Sequence, residues 1–159
     1  MKFVSEKIID ETVVALEKAD NYEAEIKTLR KSQPVVLSYL MSENFEVLTT
    51  EEREYLLYLT LVIIKSARRV NPQLQAVEQE KLGAAEESNY TLLQSSKERR
   101  FRDKLTVFFE KYPQEDLLAF AEDALVIDDE TTAEDSFQIT KEGREPVFLA
   151  LKSIIDALE

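Results

Sequence analysis

The chain has 159 residues, with 20 basic and 32 acidic side chains, a net charge of −12, and neither histidine nor cysteine. That composition rules out a disulfide framework, thiolate or imidazole zinc sites, a cysteine nucleophile and a Ser-His-Asp triad. It also disfavours nucleic acid, whose phosphates require a basic footprint.

The length is that of a single domain, 1–159. With two glycines and four prolines there is little turn punctuation, helix-forming residues dominate, and no alternating segment reads as a strand. The expected fold is all-α. Its first residues, Met1 to Glu11, carry charges every few positions and leave no apolar core for a signal peptide. A cytoplasmic location is expected.

The first helix is predicted over about 3–19, with Val4, Ile8, Ile9, Val13 and Leu16 at helical spacing. A polar helix follows at about 22–31. Pro34 opens a third, ending near Asn44. Thr49 and Glu52 have capping-box spacing and begin the fourth, about 50–70. Acidic residues gather at its positive end (Glu51, Glu52, Glu54) and basic ones at its negative end (Lys65, Arg68, Arg69). Between Tyr55 and Ile64 only Thr60 is polar, so apolar side chains point around the whole circumference. A helix of that kind must be enclosed, as the centre of a bundle or as one wall of a homodimer. The run is about half of the ~20 residues needed to cross a bilayer, so no membrane span is expected.

Asn71 and Pro72 read as the cap and first residue of a fifth helix to about Leu82, broken at Gly83 or continuing to Leu93. Ser95 and Glu98 read as a second capping box, starting a sixth helix through Lys111. Pro113 opens a seventh, about 114–126. Residues 127–139 read as an acidic loop, and Thr140 caps the last helix, which carries the stripe Val147, Phe148, Leu151, Ile154, Ile155 and Leu158. The expectation is one bundle of six or seven helices around the 50–70 helix. The prolines lie 38, 41 and 33 residues apart, so the alternative is a short α-solenoid of helical pairs.

Three features bear on chemistry. Residues 110–135 hold ten acidic groups and one basic group, so the charge is concentrated there. The loop residues Asp128, Asp129, Glu130, Glu134 and Asp135 are candidates to meet a basic surface on a protein partner. As a calcium loop the segment fails, because Ala133 and Ile139 stand where glycine and glutamate are required.

The second feature is a basic run. On a continuous helix Lys97, Arg100 and Lys104 would share one face, while Glu98–Arg102 and Arg99–Asp103 would pair along the helix. Such a face is a candidate to meet the acidic segment of a second copy, which favours a homodimer.

The third is a possible metal site. Glu51 and Glu54, like Glu142 and Glu145, have the Glu-x-x-Glu spacing. This resembles half the motif of the all-helical, magnesium-dependent nucleotide pyrophosphohydrolases of the MazG type. The other half, Glu-x-x-Asp on a following helix, is missing, and first-turn glutamates that compensate a helix dipole account for Glu51 and Glu54 without a metal. No cofactor is expected. The sequence therefore favours a non-enzymatic interaction or adaptor module that self-associates, with the hydrolase as its alternative.

Overall fold

The structure is a computed structural model that describes residues 1–19, 21–126 and 137–159. Among the described residues it is all-helical. The helices are α1 Glu6–Glu17, α2 Tyr22–Ser32, α3 Pro34–Leu40, α4 Thr50–Val70, α5 Gln79–Gln94, α6 Phe101–Phe109, α7 Glu115–Asp123 and α8 Lys141–Leu158, with a 3-10 turn at Glu43–Phe45.

Local signals hold at several ends. The Thr49 hydroxyl accepts from Glu52 N at 3.1 Å and the Glu52 carboxylate accepts from Thr49 N at 3.0 Å, completing the box that opens α4. Thr140 accepts from Gly143 N at 3.1 Å and opens α8. Pro34 sits in the first turn of α3. Thr60 donates to the carbonyl of Leu56 at 2.8 Å, which satisfies the one hydroxyl in the apolar stretch.

Two helices start elsewhere than the sequence suggests. Residues 72–78 are not helical, and α5 begins at Gln79 and runs unbroken through Gly83. Asn71 closes α4 instead of opening α5. Its Nδ2 donates to Ala67 O at 3.0 Å, and its Oδ1 accepts from Lys2 N at 2.8 Å. The 72–78 segment is held by Gln33, a buried side chain that donates to Gln75 O at 2.9 Å and accepts from Val77 N at 2.7 Å. Those two bonds replace the helical pairing the segment gives up. Likewise Ser95 is the C-cap of α5, and α6 starts only at Phe101. At the far end, Lys111 adopts a left-handed backbone, φ 53°, and turns the chain between α6 and α7.

The core is shared by α4 and α8. Leu56, Leu59 and Leu61 to Ile64 on α4 are buried, yet Tyr55, Leu57 and Tyr58 leave one flank partly open. Helix α8 is the more completely enclosed, with Val147, Phe148, Ala150 to Ile155, Ala157 and Leu158 all buried. It packs on α4, α5 and α7, while α1 packs on α4 and α7. Contacts between elements so distant in sequence are those of a bundle; a solenoid joins neighbours only. The chain by itself encloses Leu56, Leu59 and Leu61 to Ile64, so that part of the stretch does not require a homodimer.

Helix α5 packs along α8. Ala150, Ser153 and Ala157 recur at i, i+3 and i+7, and small residues at that spacing permit close approach. Asn89 on α5 donates to Ser153 Oγ at 3.2 Å and to Asp156 Oδ2 at 2.9 Å. Lys152 Nζ lies 2.7 Å from Asp156 Oδ2 and 4.3 Å above the Tyr112 ring, and Tyr112 donates to Asp156 Oδ1 at 2.7 Å. Burial and the neighbouring Asp156 charge push the Tyr112 phenol well above its ordinary range, so it stays a donor.

Candidate functional site

Helix α5 has two faces. Leu82, Asn89 and Leu93 turn toward the core. Gly83, Glu86, Glu87, Tyr90 and Gln94, also at helical spacing, line an open groove of about 450 Å³. Helix α3 contributes Tyr39, the 3-10 turn contributes Asn44 and Phe45, and α8 contributes Glu145, Pro146 and Leu149.

The sequence builds each wall for a local reason. Pro34 fixes the start of α3 and thus the position of its last turn, which carries Tyr39. The short turn that follows places Phe45 against Tyr39, ring centres 5.1 Å apart and planes at 85°. Edge-to-face contact of this kind is favourable and orients both rings. At Gly83 an added Cβ would meet only open space, so this part of the α5 wall is bare.

The groove is acidic. Glu86 accepts a hydrogen bond from the Tyr39 hydroxyl. Burial first, then the bond to Glu86 and its charge, push the Tyr39 phenol far above its ordinary range, so the hydroxyl remains a donor and holds that carboxylate in place. Glu145 is met by Lys104 of α6 at 2.7 Å. Glu87 is exposed and has no cation of its own among the described residues. Three carboxylates therefore face a single lysine across a surface that also holds Tyr39, Phe45 and Tyr90. Negative charge beside aromatic rings and an apolar floor suits an organic cation, an ammonium or guanidinium group, through ion pairing and cation–π contact.

A larger depression of about 700 Å³ lies beside residues 70–76 and the last turn of α8. Its charged groups, Lys2, Lys81, Glu78 and Glu159, are of mixed sign and no aromatic ring lines it, so it favours no one ligand chemistry.

The sequence-derived candidates fall mostly outside the groove. Glu51 and Glu54 are exposed near the start of α4, and among the described residues no third carboxylate joins them in a group able to hold a metal. Glu54 lies near the Tyr22 phenol, which burial and the charges of Tyr58 and Glu54 raise. Glu142 is exposed, while Glu145 enters the groove. Asp128, Asp129, Glu130, Glu134 and Asp135 lie outside the described residues.

Lys97, Arg100 and Lys104 do not form one helical face. The first two stand in the loop before α6, because α5 runs on to Gln94 and α6 begins four residues after Lys97. The pairs expected along that helix are replaced. Arg102 meets Glu122 at 3.3 Å and Asp123 at 3.1 Å, and Lys104 meets Glu145. The Glu122 carboxyl is raised above its usual range by burial, against the pull of Arg102.

Sequence reasoning did not bring Tyr39, Glu86, Glu87 and Tyr90 together in one site. The signal available was the spacing of Gly83, Glu86, Glu87 and Tyr90 on one side of a helix that looked merely wet. Compared with protein-family models, with curated proteins and with solved structures, the chain matches none. Among the described residues no helix is long and apolar enough to cross a membrane.

Proposed function

We propose that the chain is a non-enzymatic protein–protein interaction module that takes a basic segment of a partner protein into the groove between α3, α5 and α8. The observation that carries this reading is the convergence of Glu86, Glu87 and Glu145 on a wall holding Tyr39, Phe45 and Tyr90. The carboxylates supply attraction and orientation, and Tyr39, Tyr90 and Leu149 supply area that gains from leaving water. A side chain with a cationic head on an apolar stem uses both, and arginine and lysine have that form.

Fluorescence anisotropy with two peptides tests the reading. One alternates arginine with leucine, and the other replaces every arginine by glutamine. The arginine peptide binds, the glutamine peptide does not, and Glu87→Gln with Tyr90→Ala weakens binding roughly tenfold or more, the scale of two lost interface contacts. Both residues are exposed, so the fold tolerates these changes. Equal binding of the two peptides, or none, removes the proposal.

A further inference from the structure

The loop that follows α5 has the composition the groove asks for. Lys97, Arg99 and Arg100 are all exposed, with Glu98 the one acidic residue beside them. None of the three meets a carboxylate among the described residues, since α6 begins too late to pair them along a helix. Three unpaired cations in four residues stand out in a chain of net charge −12.

Their position matters as much as their charge. Gln94 is the last residue of α5 and lines the groove, and the loop starts at the next residue. Groove and loop are thus neighbours on one surface. Tyr90, 55% exposed on the same helix end and in the groove wall, adds apolar area beside them. A surface carrying an acidic hollow beside a basic projection is complementary to itself when rotated by a two-fold axis. One rotation near the end of α5 makes two identical contacts.

We infer that the basic loop 97–100 of a second copy of this chain occupies the groove, so that two copies mask each other's sites. This rests on the groove as a site for basic segments, and it adds regulation to it: a partner's basic segment competes with the twin's loop. The apparent affinity for a basic peptide therefore falls as the chain is concentrated. Salt is a poor probe, because screening weakens the local pairs and the overall repulsion between copies together.

Charge reversal at exposed positions separates the outcomes. The loop variant is K97E/R99E/R100E. The groove variant is E87K/Q94K, which leaves the Tyr39–Glu86 and Lys104–Glu145 contacts intact. In sedimentation equilibrium at about 100 μM chain, the wild type runs at twice the 18.4 kDa chain mass. Each variant alone runs at the single mass, with an unchanged circular-dichroism spectrum. Their equimolar mixture returns to the double mass, because both contacts are then complementary. A monomeric wild type, a dimeric variant or a mixture that stays monomeric overturns the inference. The loop variant keeps its groove: if it binds the arginine peptide while no dimer forms, only the masking fails, and if it does not bind, the groove reading fails with it.

Discussion

One carboxylate ties the starts of two helices together: Glu52 of α4 accepts from both the backbone N–H and the hydroxyl of Thr140, the residue that caps α8, at 3.0 and 2.8 Å. Its other oxygen closes the capping box with Thr49 at 3.0 Å. Glu52 is 2% exposed. Burial alone would raise its pKa, but the hydrogen bonds from Thr49 and Thr140 prevail and hold it below the usual carboxylate range.

A depressed folded-state pKa fixes the sign of the pH dependence. The ionised Glu52 contributes stability above the unfolded pKa, about 4.3 for glutamate, and loses it as pH falls through the lower folded value. Glu52→Gln should cost about 2–4 kcal/mol at pH 7, since an amide donor then faces N–H and O–H donors. The gap between wild type and variant in urea unfolding should narrow below about pH 4. A gap that stays constant from pH 7 to pH 3 would deny Glu52 this role.

The two glycines should respond oppositely to alanine. Gly83 lies inside α5 with open space beyond it, so Gly83→Ala should stabilise by about 0.5–1 kcal/mol. At Gly143 an added Cβ would overlap the Glu52 carboxylate and stand 3.2 Å from Thr140 Oγ1. Gly143→Ala should destabilise by at least about 1 kcal/mol, because the joint between α4 and α8 has to open to admit the methyl group. Thermal unfolding of the two variants gives the signs directly.

Asp156 is the acceptor on which Lys152, Tyr112 and Asn89 converge. Asp156→Ala leaves all three donors without it, whereas Lys152→Met fills the space with an apolar stem and leaves Asp156 two donors. The first should cost about 3–5 kcal/mol and the second clearly less. Chemical denaturation that ranks them the other way would show Lys152 to be the anchor.

On α4, Leu59→Ala should cost about 2–5 kcal/mol, for a cavity in a closed site. Leu57→Ala, on the partly open flank, should cost about 1 kcal/mol. Similar losses at both positions would mean that the flank is covered.

What the sequence revealed was what it encodes locally. The Thr49–Glu52 box, the Thr140 cap and the Pro34 start each lie within about one turn of helix, and each is found as expected. The misplaced start of α5 came from partners far away in sequence, whereas at α6 Ser95 donates to Leu92 O at 2.7 Å and closes α5 instead of opening the next helix. Asn71 looked like an opening cap because nothing nearby shows Lys2 or Ala67 using its side chain. Gln33 lies 44 residues from Val77, whose amide it holds out of a helix. Helix α8 read as amphipathic because Lys152 and Asp156 count as polar, and only the packed structure brings Asn89 and Tyr112 over them. The groove is of the same kind, since Tyr39 and Glu86, which bond across it, stand 47 residues apart.

Amide chemical-shift mapping tests the groove itself. With the full chain titrated by the arginine peptide, the largest shifts should fall between Gly83 and Gln94, at Phe45, and between Glu145 and Leu149, and the glutamine peptide should move none of them. Shifts gathered instead around Glu51 and Glu54, or scattered over the whole surface, would contradict the account.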